Sequence, residues 1–262
     1  MKIIGIVNNI VRVGKTKIIQ LLVEYFSGFL NKKILVIDLD PRYIFSSLYL
    51  DKKIIHEIQN NIINKKRFID EPYITHIKNL HILIGNLNHF FIDPLIKKSE
   101  VIKKLHLQLN QIIKKANIGR KYDLVLIDSD IENLLTYSII KTATHIIIPI
   151  IMDTGITQNI YGLLQLWLQE NLSRDINNPL YLIGLLPNMV KLNTLNSDML
   201  NNLKNNNLIN KFLMPVNIKY RKIFSNNNTS TEESLLTFKK NIRAKKEAMK
   251  VCEYINKKIF NE

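Results

Sequence analysis

Gly14-Lys15-Thr16 follows a short β-branched run, Lys2–Val7, and opens a stretch with helical apolar spacing. A tight turn entering a helix N-terminus aims backbone N–H groups at an anion. A lysine there reaches the outer phosphates of a nucleotide, and a hydroxyl holds Mg²⁺. The candidate phosphate cradle is therefore Arg12, Val13, Gly14, Lys15, Thr16 and Lys17. The triplet alone is common, and its place between strand and helix is what gives it weight. The full spacing G-x-x-x-x-G-K-[ST] is not met, because Asn9 stands where the first glycine belongs.

Two acidic motifs follow other apolar runs. Asp38-Leu39-Asp40-Pro41-Arg42 ends the run beginning at Lys33, and Asp128-Ser129-Asp130 follows Tyr122–Ile127. Carboxylates at i and i+2 of an extended chain project to one side. Buried like charges are costly unless they serve a cation or polarise a water. An Asp closing an apolar strand is also the form that supports a Mg²⁺ shell in phosphoryl transfer. Any one Asp could merely cap a turn, but three motifs at three strand ends agree on one shared site. Ser129 has no evident His partner for a hydrolase triad, and His81, His106 and His145 lack metal-ligand spacing. A single cysteine, Cys252, excludes internal disulfides and fits a reducing cytoplasm.

These motifs need a scaffold, and the apolar pattern supplies it. Strand-length runs are expected at Lys2–Val7, Lys33–Leu39, His81–Ile84, Tyr122–Ile127, His145–Ile151, Tyr181–Leu186 and Phe212–Val216. Helices are expected over Lys17–Leu30, Glu100–Ala116, Ile131–Ala143, Gln158–Leu172 and about 235–259. The stretches Asn201–Asn210 and Asn226–Asn228 read as surface turns, Gln59–Arg67 as a polar insertion, and Ser230–Glu233 as a capping box. Alternation of this kind predicts one α/β domain over 1–262, a mostly parallel sheet covered by helices on both faces. Such sheets bind ligands at the C-terminal ends of their strands.

The order of motifs resembles the ParA/MinD family of deviant-Walker P-loop ATPases, over most of the chain. The family loop N-x-K-G-G-x-G-K-T-T is matched by Asn8 to Lys17, D-x-D-P-Q by Asp38 to Arg42, and Y-D-x-x-x-I-D-T by Tyr122 to Ser129. Ala143 to Ile150, with Pro149, is similar to A-D-x-x-x-I-P-[VT]. Gly184 to Asn188 is similar to G-x-x-x-N, and Met214 to Phe224 to the family's I-P-x-N segment. The resemblance implies a three-layer α/β/α P-loop fold that binds ATP and Mg²⁺. Lys15 would contact phosphates, Thr16 and Asp128 would serve Mg²⁺, and Asp40 would orient the attacking water. Asp38 would support the metal site and the switch segment, while Asn188 and Pro215 would lie near the adenine. It further implies an ATP-dependent homodimer that binds DNA non-specifically and works with a ParB-like centromere-bound partner in plasmid or chromosome partition.

The match departs from the family in the loop. The signature lysine is Ile10, the two glycines after it are Val11 and Arg12, and the second threonine is Lys17. Glycine suits such a loop because a Cβ obstructs positive φ and close approach to phosphate. Two readings follow: Arg12 replaces the lost charge and hydrolysis is slow, or the chain is a pseudo-ATPase scaffold that retains the fold. A third reading is a MinD-like positioning ATPase at a membrane or other cargo.

The formal net charge of +15 favours a polyanionic partner, although the crowding of Ile, Asn and Lys, with AT-rich codons, is a compositional alternative. On the final helix Lys239, Arg243, Lys246 and Lys250 share one face, with Phe238, Ile242, Met249, Cys252, Ile255 and Ile259 roughly opposite. With Lys219, Arg221 and Lys222 they form the candidate DNA contact. No run is long and apolar enough for a transmembrane segment. A cytoplasmic protein, nucleoid-associated if DNA is bound, is expected.

Overall fold

A computed structural model describes residues 1–63, 71–85, 98–117, 121–129, 134–221 and 242–260. The strands are β1 (Lys2–Ile6), β2 (Ile34–Asp38), β3 (Tyr73–Ile74), β4 (Leu80–Ile84), β5 (Leu124–Asp128), β6 (His145–Ile150) and β7 (Tyr181–Pro187). They form one sheet in the order β3-β4-β2-β5-β1-β6-β7. All pairs are parallel except β3 with β4. The helices are α1 (Lys15–Val23), α2 (Ser46–Tyr49), α3 (Lys52–Ile63), α4 (Lys98–Asn117), α5 (Leu134–Thr142), α6 (Ile156–Ser173), α7 (Thr194–Asn205) and α8 (Ile242–Phe260). Beyond α1 the chain continues as a π-helical stretch, Glu24–Phe29.

Every residue of β2 and β5 is buried, as expected of parallel strands covered on both faces. Successive side chains supply opposite cores. Ile4, Ile34, Val36 and Leu126 join α1 and α8 on one face, through Ile18, Leu22, Ala248 and Cys252. Ile3, Leu35, Ile37 and Val125 join α4, α5 and α6 on the other, through Leu109, Ile139 and Leu163. Gly5 lets α5 approach β1 closely, since a Cβ there would stand 2.5 Å from Ile139 Cγ2. The architecture is thus the expected three-layer α/β/α arrangement.

Several local expectations are corrected. The seventh strand is β3, at the far edge of the sheet, and not Phe212–Val216. That segment meets β7 through a single bridge, Leu185 with Leu213, and Pro215 has no N–H to extend the pairing. Gly184, at φ 150, permits the approach, because a Cβ would lie 2.8 Å from the Phe212 carbonyl oxygen. The Asn-rich stretch from Asn201 is largely helical, not a turn: Asn193 caps α7, and Leu203 is buried beneath it. Asn206 then accepts from the Leu208 and Ile209 amides and starts a 3₁₀ turn, Ile209–Lys211. Gln59, where the expected polar insertion begins, falls inside α3, and residues 64–67 lie outside the described residues. Asn226–Asn228, Ser230–Glu233 and the first residues of the expected last helix lie outside the described residues.

Candidate functional site

The strand order sets β2, β5, β1 and β6 side by side, so their following loops converge. Asp38 and Asp128 are register partners on adjacent strands, and the Leu39 amide donates to the Asp128 carbonyl at 2.9 Å. The loop from Val7 to Gly14 leads into α1 beside them. Gly14 takes φ 84, and a Cβ there would meet Asn188 Nδ2 at 2.4 Å. Among the loop's departures from glycine, the left-handed torsion falls on Arg12, at φ 59, and not on Val11. A side chain in that region costs roughly 1–2 kcal/mol. Tyr43 and Met189, at φ 52 and 53, are also left-handed and lie at the same end of the sheet.

Asn8 organises the loop from within. Its Nδ2 donates to the Pro149 carbonyl at 2.7 Å, and its Oδ1 accepts from the Ile10 amide at 2.7 Å and Asn159 Nδ2 at 3.2 Å. The loop is thereby tied to β6 and to α6. Lys15 is buried and its Nζ donates to the Asn8 carbonyl at 3.3 Å. Burial pushes the Lys15 amine below its usual range, while Asp128 and Asp40 pull it back up. Thr16 Oγ1 donates to Asp128 Oδ1 at 3.2 Å. Asp128 Oδ2 is buried with no hydrogen-bond partner. Burial first, then the charge of Asp38, raise the Asp128 carboxyl to about 8.

Asp38 serves the loop after β2. Its Oδ1 accepts from the Asp40 amide at 3.0 Å, and its Oδ2 accepts from the Ser46 amide at 2.9 Å and the Ser46 hydroxyl. Burial pushes its carboxyl up to about 6 against these donors. The geometry thus has Asp38 holding the segment 40–46, as expected of a residue supporting the switch segment. Asp40 is also buried, and Arg42 closes on it with Nε to Oδ1 and Nη2 to Oδ2, both 3.1 Å. Burial, with Asp38 and Asp40 adding to it, pushes the Tyr43 hydroxyl up to about 12.

Asn188 and Val13 meet directly, the Asn188 Nδ2 donating to the Val13 carbonyl at 2.7 Å. Next to them is a largely apolar cleft lined by Lys17, Leu21, Asn188, Met189, Ile218 and Tyr220. Lys17 turns its amine to Gln20 Oε1, at 2.9 Å. Pro215, expected here, is exposed and does not line the cleft; Ile218 to Arg221 take that place. Lys219 and Arg221, expected on a DNA-contacting face, border this cleft and pair with Glu247 of α8 at 3.6 and 2.7 Å. Arg243, Lys246 and Lys250 are exposed on α8 as expected, while Ala248, Cys252 and Ile255 are buried beneath them. Ile242, expected on the apolar face, is 64% exposed. Lys222, Lys239 and Asp130 lie outside the described residues.

Sequence reasoning missed Asn8 as the loop's anchor, Asn159, Ser46 and the Arg42 fork. Asn8 and Arg42 carried a signal, as the first residue of the matched loop and the last of the matched acidic motif. The rest depend on distant or side-chain geometry. Among the described residues no group of three or more His, Cys, Asp or Glu is arranged to hold a metal, and no helix is long and apolar enough to cross a membrane. A Mg²⁺ ion nevertheless fits the donor chemistry. Thr16 and Asp128 offer hard oxygens, one of them an orphaned buried carboxylate atom, and Mg²⁺ with a nucleotide takes few protein ligands.

The AAA domain family (AAA_31) matches residues 1–180. Among solved structures, the chain is similar to a plasmid partition protein from Borrelia burgdorferi, with 19% identity, 98% of this chain and 99% of that chain covered, and TM-score 0.63. It is similar to McdA from Cyanothece in complex with ATP, with 16% identity, 98% and 96% covered, and TM-score 0.71. It is also similar to cobyrinic acid a,c-diamide synthase from Mycobacterium smegmatis with bound ADP and magnesium, with 15% identity, 100% and 97% covered, and TM-score 0.67. A search of curated proteins returned no match. With the family model covering more than half of the chain, this chain belongs to the AAA domain family, and its sheet order and loop geometry give it a ParA/MinD-like P-loop fold.

Proposed function

We propose that the chain binds ATP with Mg²⁺ at the ends of β1, β2 and β5 and acts as a ParA-type partition protein, dimerising on ATP and holding DNA without sequence preference. The observation that carries the nucleotide reading is the buried, unpartnered Asp128 Oδ2 beside Thr16 and the Gly14 turn. A buried, unpartnered polar oxygen of this kind costs stability unless a cation or a water completes it. Lys15 would reach the outer phosphates, Thr16 and Asp128 would hold Mg²⁺, and the cleft by Asn188 and Ile218 would take the base. The bound ion would neutralise charge on the phosphates. The solved relatives with ATP, or with ADP and magnesium, support the same reading.

Titration with a fluorescent ATP analogue and Mg²⁺ tests this. Saturable binding is expected, weakened at least about tenfold by Lys15→Ala, since a charge-assisted contact contributes roughly 1.5–3 kcal/mol. Binding that is absent, or indifferent to Lys15→Ala, overturns it.

Arg243, Lys246 and Lys250 support the DNA reading, as one exposed basic face on a helix whose other face is buried. Three phosphate contacts predict that affinity for any duplex falls roughly 40-fold between 50 and 200 mM salt. Alanine at the three positions should flatten that slope. Affinity indifferent to salt counts against the assignment. A ParB-like centromere-bound partner and a cytoplasmic, nucleoid-associated location belong to the same proposal.

A further inference from the structure

The turn after β2 is held at both ends. Asp38 pins its far end through the Ser46 amide and hydroxyl, and Asp40 opens it. Between them stands Tyr43 in a left-handed conformation. Arg42 folds back over the start of the turn. Its amide and Nε donate to Asp40 Oδ1 at 2.9 and 3.1 Å, and its Nη2 to Oδ2 at 3.1 Å. The Asp40 side chain is 1% exposed, while that of Arg42 is 55% exposed. The carboxylate is therefore buried and the group covering it faces solvent. A planar guanidinium engages both oxygens of a carboxylate at once, which no lysine or glutamine can do.

We propose that Arg42 is a latch on Asp40 that keeps the nucleotide site in a slow-turnover state until the fork opens. The proposal rests on the ATP-binding reading above. In hydrolysis, water adds to the terminal phosphorus while the bond to the bridging oxygen breaks. ATP and water give ADP, phosphate and one proton, which leaves to solvent. A carboxylate that orients this water needs an oxygen free to accept from it. In the latched state both Asp40 oxygens accept from Arg42, which competes with the water for the carboxylate. Arg42 acts through Asp40 and is a positioning residue.

Two measurements on wild type, Arg42→Gln and Arg42→Lys test the latch. Affinity for a fluorescent ATP analogue with Mg²⁺ should differ less than threefold among them. Steady-state phosphate release should show kcat at least tenfold higher in Arg42→Gln with KM within twofold of wild type. Arg42→Lys, which keeps the charge and loses the fork, should show a smaller rise of about threefold. A merely structural Arg42 would lower binding and kcat together when replaced. Normal binding with kcat unchanged or lower in Arg42→Gln overturns the latch and leaves the ATP-binding reading intact. Absence of analogue binding in the wild type overturns both. If Arg42→Gln does not fold, Arg42→Lys decides: a higher kcat at constant KM supports the latch, and no rise overturns it.

Discussion

Replacing Asp128 with Asn raises the melting temperature of the nucleotide-free protein at pH 8 by roughly 2–8 °C and abolishes the further rise that ATP with Mg²⁺ confers. The first effect follows from a carboxylate oxygen that is buried without a partner, in the field of Asp38 and Asp40. Leaving such a group uncompensated costs about 1–3 kcal/mol. Asn keeps an oxygen for the Thr16 hydroxyl and removes the charge. The second effect follows from the loss of an anionic oxygen for the cation. At a nucleotide concentration 100 times Kd the wild type should gain about 2.7 kcal/mol, and the variant should gain none of the Mg²⁺-dependent part.

The pH dependence has a definite sign. Asp38 and Asp128 are raised from the ordinary 3.8 to about 6 and about 8, mainly by burial. Well below pH 4 both are protonated in the folded and unfolded chains alike. As pH rises, the unfolded chain ionises first, so the folded state loses stability from about pH 4 until each folded group ionises. Asp38 contributes to that loss up to about pH 6 and Asp128 up to about pH 8. In Asp128→Asn the part of the slope between pH 6 and 8 should vanish. Thermal melts across this range measure it. A variant that is less stable at pH 8 and still answers to Mg²⁺ would make Asp128 a structural acid and nothing more.

Asn8→Ala should destabilise the protein by about 2–4 kcal/mol and weaken nucleotide binding together. Removing the amide leaves the Ile10 N–H, the Pro149 carbonyl and the Asn159 side chain without the partner that joins them. Asn8 is 2% exposed, so water does not replace it readily. The loop would then lose its tie to β6 and α6, and the Lys15 amine the firm position of the Asn8 carbonyl it donates to. Asn8→Asp should fail in the same direction, because a carboxylate cannot donate to Pro149. A lower denaturant midpoint at unchanged slope, with weaker analogue binding, is the expected pair of results. Full stability in Asn8→Ala would show that the loop holds its shape through the backbone alone.

The layered fold was legible from periodicity. Runs such as Ile34–Asp38 and Leu124–Asp128 are apolar throughout, and a strand of that kind is stable only when both faces are covered. The convergence of Lys15, Thr16, Asp40 and Asp128 was legible too, because each follows or opens an element whose end the parallel order brings to one edge. The edges of the sheet were not legible. Tyr73–Ile74 is too short for a period to register, and Phe212–Val216 reads as a strand although Pro215 stops it after one bridge. The Asn-rich helix α7 was missed because asparagine's weak helical preference is overridden by Leu203 and its neighbours packing on the core.

In the loop at Asn8 to Lys17, the sequence by itself determined that a glycine turn enters a helix and which residues depart from the family's pattern, since chain order alone seats Gly14-Lys15-Thr16 between β1 and α1. Only the tertiary structure decided what those departures do. The positive φ fell on Arg12 and spared Val11; Lys219 and Arg221 paired with Glu247; and Arg42 closed over Asp40. Such outcomes rest on side-chain distances across elements far apart in the chain or on the local path of a single turn, and neither leaves a period in the sequence to read.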